Sequence, residues 1–95
     1  MASILKTNGE IVPLEDVSLK SLQSAVGGLI EMVLATEGRI MFVNEEGKLL
    51  GLPVNEQATK IYAYREQQGP IAGDAVVGTE AEFAETEDEP ENGEG

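Results

Sequence analysis

The chain has 95 residues, with 18 acidic and 6 basic side chains and a formal net charge of −12, and its length fits one domain. It has no cysteine and no histidine. Disulfides, thiolate metal sites and Ser-His or Cys-His catalytic pairs are therefore excluded. Acid-base chemistry on glutamates stays open, but no matched carboxylate pair can be placed from the sequence. We expect neither an enzyme nor a cofactor.

The acidic residues are unevenly distributed. Residues 1–73 have nine acids and six bases, a net −3, whereas residues 74–95 have nine acids and no base, a net −9. The segment 79–95 contains one large apolar side chain, Phe83, and too little apolar surface to offset its ordering entropy. We predict one domain over 1–78 and a disordered acidic tail over 79–95. Lysines and arginines supply most of the affinity for phosphates, so this charge argues against direct nucleic acid binding.

Hydropathy indicates no membrane contact. No apolar run approaches the roughly 18 residues that a membrane helix needs. The N-terminus lacks the apolar stretch and the cleavage pattern of a signal peptide. We therefore expect a cytoplasmic protein.

The first predicted element is a β-hairpin over "SILKT", "NG" and "EIVPL". Asn8-Gly9 suits the positive φ angles of a two-residue type I′ turn. Pro13 has no N–H for a strand ladder, so the second strand ends there or lies on an edge.

A helix is predicted next, over "DVSLKSLQSAVGG". Ser18 is its N-cap, and Val17 and Leu22 occupy the positions of a hydrophobic staple. Gly27 stands where a left-handed C-terminal residue is needed. Its apolar face is Leu19, Leu22 and Val26.

"LIEMVLA", "EG" and "RIMFVN" predict a second hairpin. A two-residue turn at 37–38 places Val33 opposite Phe42 and Glu31 opposite Asn44. A longer turn changes this register. With the two-residue turn, the core face of the hairpin is Ile30, Met32, Leu34, Met41 and Val43.

The stretch "NEEGKLLGLPVNEQA", residues 44–58, predicts a turn in which Gly47 is free to take positive φ, then a short extended segment before Pro53. Asn55 can cap a helix over "EQATKIYAY". "GPIAGDAVVG" is apolar on both faces and predicts an internal strand. The order β-β-α-β-β-(β)-α-β indicates an α+β domain, with a mixed or antiparallel sheet of five to six strands and two short helices.

Three segments in this order, "SLQSAVGGLIEMV", "VNEEGKLLGLPVNEQA" and "GPIAGDAVV", resemble a family of small proteins from bacteriophages, plasmids and some bacteria that is known only as a domain of unknown function. The shared pattern is V-G-G-x-I-E, N-E-E-G-K-L, G-L-P-x-N and I-x-G, over roughly residues 17–78. The resemblance implies a phage or mobile-element protein in the host cytoplasm. It implies no activity and no site residues.

Glu31 is a lone acid in an otherwise apolar strand. It is either a solvent-facing residue paired with Asn44 (or with Lys48, if the register shifts) or the polar anchor of an apolar groove shared with Asn44 and Asn55. Tyr64 points away from the inner face of its helix and could mark a contact surface. The candidate binding residues are Glu31, Asn44, Lys48, Asn55 and Tyr64.

An oxygen-rich metal site is the alternative interpretation of Glu31, Asn44, Glu45, Glu46 and Asn55. The run "NEEGK" places Lys48 among these acids and lacks the alternating ligand spacing of a calcium loop. We predict no metal site.

The favoured function is a non-enzymatic binding module for a host or phage protein, with a second copy bound through a strand edge as one form of partner. The first alternative is a DNA mimic that blocks a DNA-binding enzyme, suggested by the net charge of −12. The second is a protein that sequesters a nucleotide, with Lys48, Arg39 and Asn55 as contacts.

Overall fold

A computed structural model describes residues 1–88. Its strands are β1 (Ala2–Leu5), β2 (Ile11–Leu14), β3 (Ile30–Leu34), β4 (Arg39–Asn44) and β5 (Ala75–Thr79), and its helices are α1 (Leu19–Val26), α2 (Glu56–Ile61), α3 (Arg65–Gln68) and α4 (Glu80–Asp88). The strands form one sheet in the order β2-β1-β5-β4-β3, and every pair is antiparallel. The predicted α+β class is confirmed with five strands. The sequence allows a sixth strand over residues 49–53, but residues 49–51 form a turn and residues 52 and 53 are not in a strand.

The sheet is covered on both faces because its central strand is apolar on both. β5 pairs with β1 on one side and β4 on the other, as predicted for an internal strand. On the face toward α1 and α4, Val76 packs with Leu22, Val26 and Phe83. This is called the α1 face. On the opposite face, called the α2 face, the core includes Met41, Val43, Ala58, Tyr62, Ala75 and Val77.

Local sequence determines α1. The Ser18 hydroxyl accepts a hydrogen bond from the Ser21 N–H at 3.3 Å, and Gly27 ends the helix at φ +81°. Both caps were predicted, and Val17 and Leu22 share the α1-face core as a staple requires. Leu19 differs from the prediction, since it is 52% exposed.

The first hairpin has a three-residue turn and not the predicted two-residue one. The Lys6 N–H donates to the Glu10 carbonyl, and the Gly9 N–H donates to the Lys6 carbonyl. Gly9 has φ +97°, while Asn8 is not in the left-handed region. This is a turn closed by a left-handed glycine, the usual three-residue hairpin. Pro13 lies in the edge strand β2, as predicted.

The register of the second hairpin is also shifted from the prediction. Ala35 donates to the Arg39 carbonyl, so the loop has three residues, Thr36–Gly38, with Glu37 at φ +64°. Glu31 therefore pairs with Val43 and not with Asn44. Because side chains alternate along a strand, a one-residue shift exchanges the faces of β3. Val33 packs on the α2-face core, while Met32 and Leu34 are exposed.

The helix predicted over 56–64 ends early, at Ile61. Tyr62 has extended backbone, at φ −72° and ψ 123°, and forms an isolated bridge with Ala35. The Ala63 N–H donates to the Leu34 carbonyl at 3.0 Å. The chain leaves the helix to pair with the end of β3, and tertiary pairing overrides local helix propensity there.

Helix α4 occupies part of the segment predicted to be a tail. The Phe83 side chain is buried, with its ring edge-on to that of Phe42 at 4.8 Å between centroids. Glu82 binds the N-terminal ammonium of Met1 and accepts from the Thr79 N–H, and these hydrogen bonds lower the pKa of Glu82. One buried aromatic residue docks this short acidic helix on the sheet. The remainder of the predicted tail, 89–95, lies outside the described residues.

We expect Phe83→Ala to reduce the free energy of unfolding by at least about 2 kcal/mol, because it removes a buried ring and leaves a cavity. Glu80→Gln, an exposed change in the same helix, should alter it by less than about 0.5 kcal/mol. Urea titrations of both variants measure this. Equal stability of Phe83→Ala and the natural chain would mean that α4 is not part of the fold.

Candidate functional site

A concave region lies at the β3 edge of the α2 face, between the sheet and the segment that follows α2. One cavity there, of about 350 Å³, is lined by Glu31, Glu45, Lys48, Tyr62, Gln68 and Ala72, among others. It is called the α2-face cavity. A second hollow of about 450 Å³, called the edge groove, is lined by Glu31, Met32, Leu34, Tyr62, Tyr64 and Gln68, among others. The two share Glu31, Tyr62 and Gln68, so they form one continuous concavity.

The outer edge of β3 is open. Glu45 donates to the Leu29 carbonyl and Ala35 to the Arg39 carbonyl, so the odd-numbered residues make the ladder to β4. In an antiparallel pair the intervening residues point their N–H and C=O away from the partner. Met32 is such a residue, and among residues 1–88 its backbone groups have no hydrogen-bond partner. The open length ends at Leu34, whose carbonyl accepts from Ala63.

Glu31 projects from the α2 face of this edge strand. Its side chain is exposed, and among the described residues it makes no ion pair. The predicted pairings with Asn44 and Lys48 are therefore absent from the described structure. Glu45 continues the ladder beyond Val43, so it lies on the same face two positions along the neighbouring chain. Such diagonal neighbours are about 7 Å apart, which places two carboxylates beside one cavity.

Tyr62 forms the inner wall shared by the cavity and the groove. The residue is 8% exposed, and its ring belongs to the α2-face core. Among residues 1–88 its hydroxyl makes no hydrogen bond. Burial raises the pKa of Tyr62, and the nearby Glu31 carboxylate raises it further. The phenol therefore stays neutral, with one donor and an acceptor oxygen available.

Two predicted binding residues have structural roles at the rim of the cavity. The Asn44 amide nitrogen donates to the Val26 carbonyl at 3.1 Å, and its oxygen accepts from the Glu46 N–H at 2.8 Å. Asn44 thereby joins the end of α1 to the turn after β4. The Lys48 ammonium donates to the Gln68 carbonyl at 2.7 Å and ties the same turn to the end of α3.

Asn55 is an internal brace and not a ligand contact. Its side chain is fully buried, and its amide nitrogen donates to the carbonyls of Leu5 at 2.7 Å and Gly73 at 2.9 Å. Its amide oxygen accepts from the Ala58 N–H at 3.0 Å, which confirms the predicted cap of α2. Every polar atom of this amide is directed into the protein, so Asn55 does not line the cavity.

Gly47 is required by close packing and not by a turn conformation. Its φ is not positive, unlike our expectation. A Cβ atom at this position would lie 2.6 Å from the Ala72 carbonyl oxygen. The backbones of Gly47 and Ala72 are in close contact there, so a side chain at residue 47 would push the turn away from Ala72. Gly47 thus fixes the floor of the α2-face cavity.

The residues proposed for a nucleotide do not come together. Arg39 is at the first residue of β4, where it donates to the Thr36 carbonyl and lies 3.6 Å from Glu37. Lys48 follows the other end of that strand, and Asn55 is buried. Among residues 1–88, no group of three or more acidic side chains is placed to hold a metal ion.

A family model described as a domain of unknown function (DUF3846) matches residues 1–91. The chain belongs to this family. The match includes the first hairpin, formed by β1 and β2, and helix α4, which lie outside the 17–78 of our resemblance. No curated protein and no solved structure matches the chain. Among residues 1–88 of this DUF3846 chain, none of the helices is both long and apolar enough to cross a bilayer.

Sequence reasoning identified Glu31, Lys48 and Tyr64 at this concavity but not the hydroxyl of Tyr62. The sequence predicts a continuous helix over "EQATKIYAY", and in such a helix Tyr62 would be an ordinary core residue. Its position opposite Glu31 depends on the break after Ile61 and on the bridge to Ala35. Neither the break nor the bridge is indicated by the neighbouring residues in the sequence. The 6.4 Å edge-on contact between the Tyr62 and Tyr64 rings follows from the same break.

Asn55→Ala should reduce the free energy of unfolding by about 3 kcal/mol or more. It leaves two carbonyls and one N–H without partners in the interior, and each such group costs about 1–3 kcal/mol. Glu45→Ala and Glu46→Ala should each change stability by under about 0.5 kcal/mol, since both side chains are exposed. Chemical denaturation of the three variants side by side tests this ranking, and a reversed order would refute the assignment of Asn55 as a brace.

The titration of Tyr62 can be followed alone in a Tyr64→Phe background, because the chain has only two tyrosines. We expect phenolate absorbance to appear above the ordinary pKa of 10.0, since burial opposes the charged form. Adding Glu31→Gln should lower the pKa of Tyr62 but leave it above 10.0, because burial is the larger cause. Identical curves with and without Glu31→Gln would show that the hydroxyl does not face that carboxylate.

Proposed function

We propose that this protein is a non-enzymatic binding module that adds an extended segment of a partner protein to β3 as a further antiparallel strand. The observation behind the proposal is the open backbone edge at Met32, beside a groove formed by the side chains of both sheet faces. In strand addition the main chain supplies hydrogen bonds, and flanking pockets select alternate side chains. The edge groove and the α2-face cavity are suitably placed for that selection.

The opposite edge of the sheet lacks this capacity. In β2 the residues that point away from β1 are Ile11 and Pro13, because the Lys6–Glu10 and Ile4–Val12 pairs form the ladder. Proline has no N–H, so Pro13 interrupts the donor row that a new strand would need. Proline on an edge strand is a common protection against unwanted pairing. Of the two edges, β3 is therefore the one suited to a partner.

A separate chain is favoured over a second copy as the occupant. Pairing of two β3 strands about Met32 would require residue 30 of one copy to lie opposite Leu34, where Ala63 already donates a hydrogen bond. Pairing about residue 31 would set Glu31 directly against its own copy, and opposed like charges are unfavourable. The resemblance to phage and plasmid proteins supports a partner from the bacterial cytoplasm, encoded by the host or by the phage.

The test is a selection of random peptides displayed on a carrier. The full chain is the target, and Met32→Pro is the counter-selection target, because it removes the outward N–H while leaving the ladder to β4. Ile11→Pro is the matched control, since it places the same residue at an outward position of the other edge. We expect enriched peptides to bind the natural chain and Ile11→Pro but not Met32→Pro.

Hydrogen exchange on the natural chain gives a second measurement, which stays valid if Met32→Pro does not fold. A bound peptide should slow exchange of the Met32 amide by roughly tenfold or more, because that N–H gains a partner. The proposal fails if selected peptides leave the Met32 amide unprotected, or if no peptide is enriched. Concentration-dependent protection without any peptide would instead identify a second copy as the occupant.

A further inference from the structure

We infer that the α2-face cavity holds a guanidinium group, supplied by an arginine of the segment that adds to β3. This inference deepens the proposed function and rests on it for the source of the arginine. It concerns the chemistry of the cavity, which is separate from the backbone edge. The grounds are two carboxylates at the cavity, the hydroxyl of the buried residue Tyr62, which makes no hydrogen bond among the described residues, and an aromatic ring beside them.

The charge at the cavity favours a cation. Glu31 lines it from β3 and Glu45 from the turn that follows β4, and neither is in an ion pair among the described residues. The one basic residue in the lining is Lys48, and its ammonium is held at the rim by the Gln68 carbonyl. The lining of the cavity therefore has two negative charges and one positive charge. An anion would have to approach both carboxylates, while a guanidinium would be attracted to each.

The Tyr62 hydroxyl supplies the polar contact within the wall. Tyr62 is buried as a residue, its side chain lines both hollows, and among residues 1–88 its hydroxyl makes no hydrogen bond, so the oxygen is available to a ligand. Tyr62 lines both hollows and lies close enough to Glu31 for the two to interact electrostatically. Its oxygen can accept from a guanidinium N–H while its own hydrogen is donated to a carboxylate. A guanidinium, with five donors in one plane, can satisfy these oxygens together.

The position of the cavity matches the source of the arginine. A residue paired with Glu31 on an added strand would project from the same sheet face, because cross-strand pairs share a face. Its side chain would pass the edge groove, where the half-exposed Tyr64 ring is available for stacking by a guanidinium. The end of this side chain would reach the carboxylates of Glu31 and Glu45 and the hydroxyl of Tyr62. The added strand thus places one side chain in the cavity without any rearrangement of the sheet.

The probe is N-acetyl-arginine methylamide, titrated into the full chain and followed by NMR on the carboxylate of Glu31 and the ring of Tyr62. The neutral, nearly isosteric citrulline analogue is the matched ligand control. We expect saturable shifts with a dissociation constant of about 1 mM or weaker, the scale for a single residue. Glu31→Gln, Glu45→Gln and Tyr62→Phe should each weaken binding by about tenfold, the value of a charge-assisted hydrogen bond. Glu46→Gln, an exposed acid outside the cavity lining, should leave it unchanged.

Three results would overturn the inference. The first is equal binding of the citrulline analogue, which would show that charge does not matter. The second is an unchanged affinity in Glu31→Gln and Glu45→Gln. The third is saturable binding of inorganic phosphate that depends on Lys48, which would make the cavity an anion site. The probe has no strand to add, so its binding is independent of the Met32 test, and either proposal can fail alone.

Discussion

A single buried amide joins three segments that build the α2 face. Asn55 joins the end of β1 through Leu5, the turn before β5 through Gly73, and the first turn of α2 through Ala58. These three segments are distant in the sequence, and the side chain that joins them is fully buried. Unpaired groups there would cost far more than the net gain of an ordinary hydrogen bond. These hydrogen bonds fix where α2 begins relative to β1 and β5. They thereby help to position the chain that leads from α2 to Tyr62 and the wall of the cavity.

The second constraint is the loop between β3 and β4. Three residues, with Glu37 and Gly38 both at positive φ, set which backbone groups of β3 face β4. The same register places Glu31 and Val33 on the α2 face and turns Met32 outward. Ala63 then pairs with Leu34 and stops the open edge at that end. One local turn thus determines both the open edge and the side chains beside it.

The predictable parts of this fold are those with local signals. Ser18 and Gly27 define α1 from within ten residues, Asn55 caps α2, and β5 is identified as internal by apolar residues on both faces. The failures are of two kinds. The hairpin turns each have one more residue than predicted, because a glycine at positive φ suits turns of two or three residues. The other failures depend on distant partners: α2 stops because Leu34 is available to Ala63, and α4 docks because Phe83 meets Phe42. Glu31 could be selected as an unusual acid in an apolar strand, but its environment could not be derived without the register.

In the proposed strand addition, Glu31 acts both on self-association and on the choice of partner. Among the described residues it has no ion pair, so the fold gains little from the carboxylate itself. An aliphatic residue there would extend the exposed apolar row of Met32 and Leu34 and make β3 a template for self-association. The carboxylate opposes pairing of two identical edges, because it would meet its own copy. The same charge favours a strand with a basic residue at that position. Protection against the wrong strand and attraction of the right one can therefore come from a single side chain.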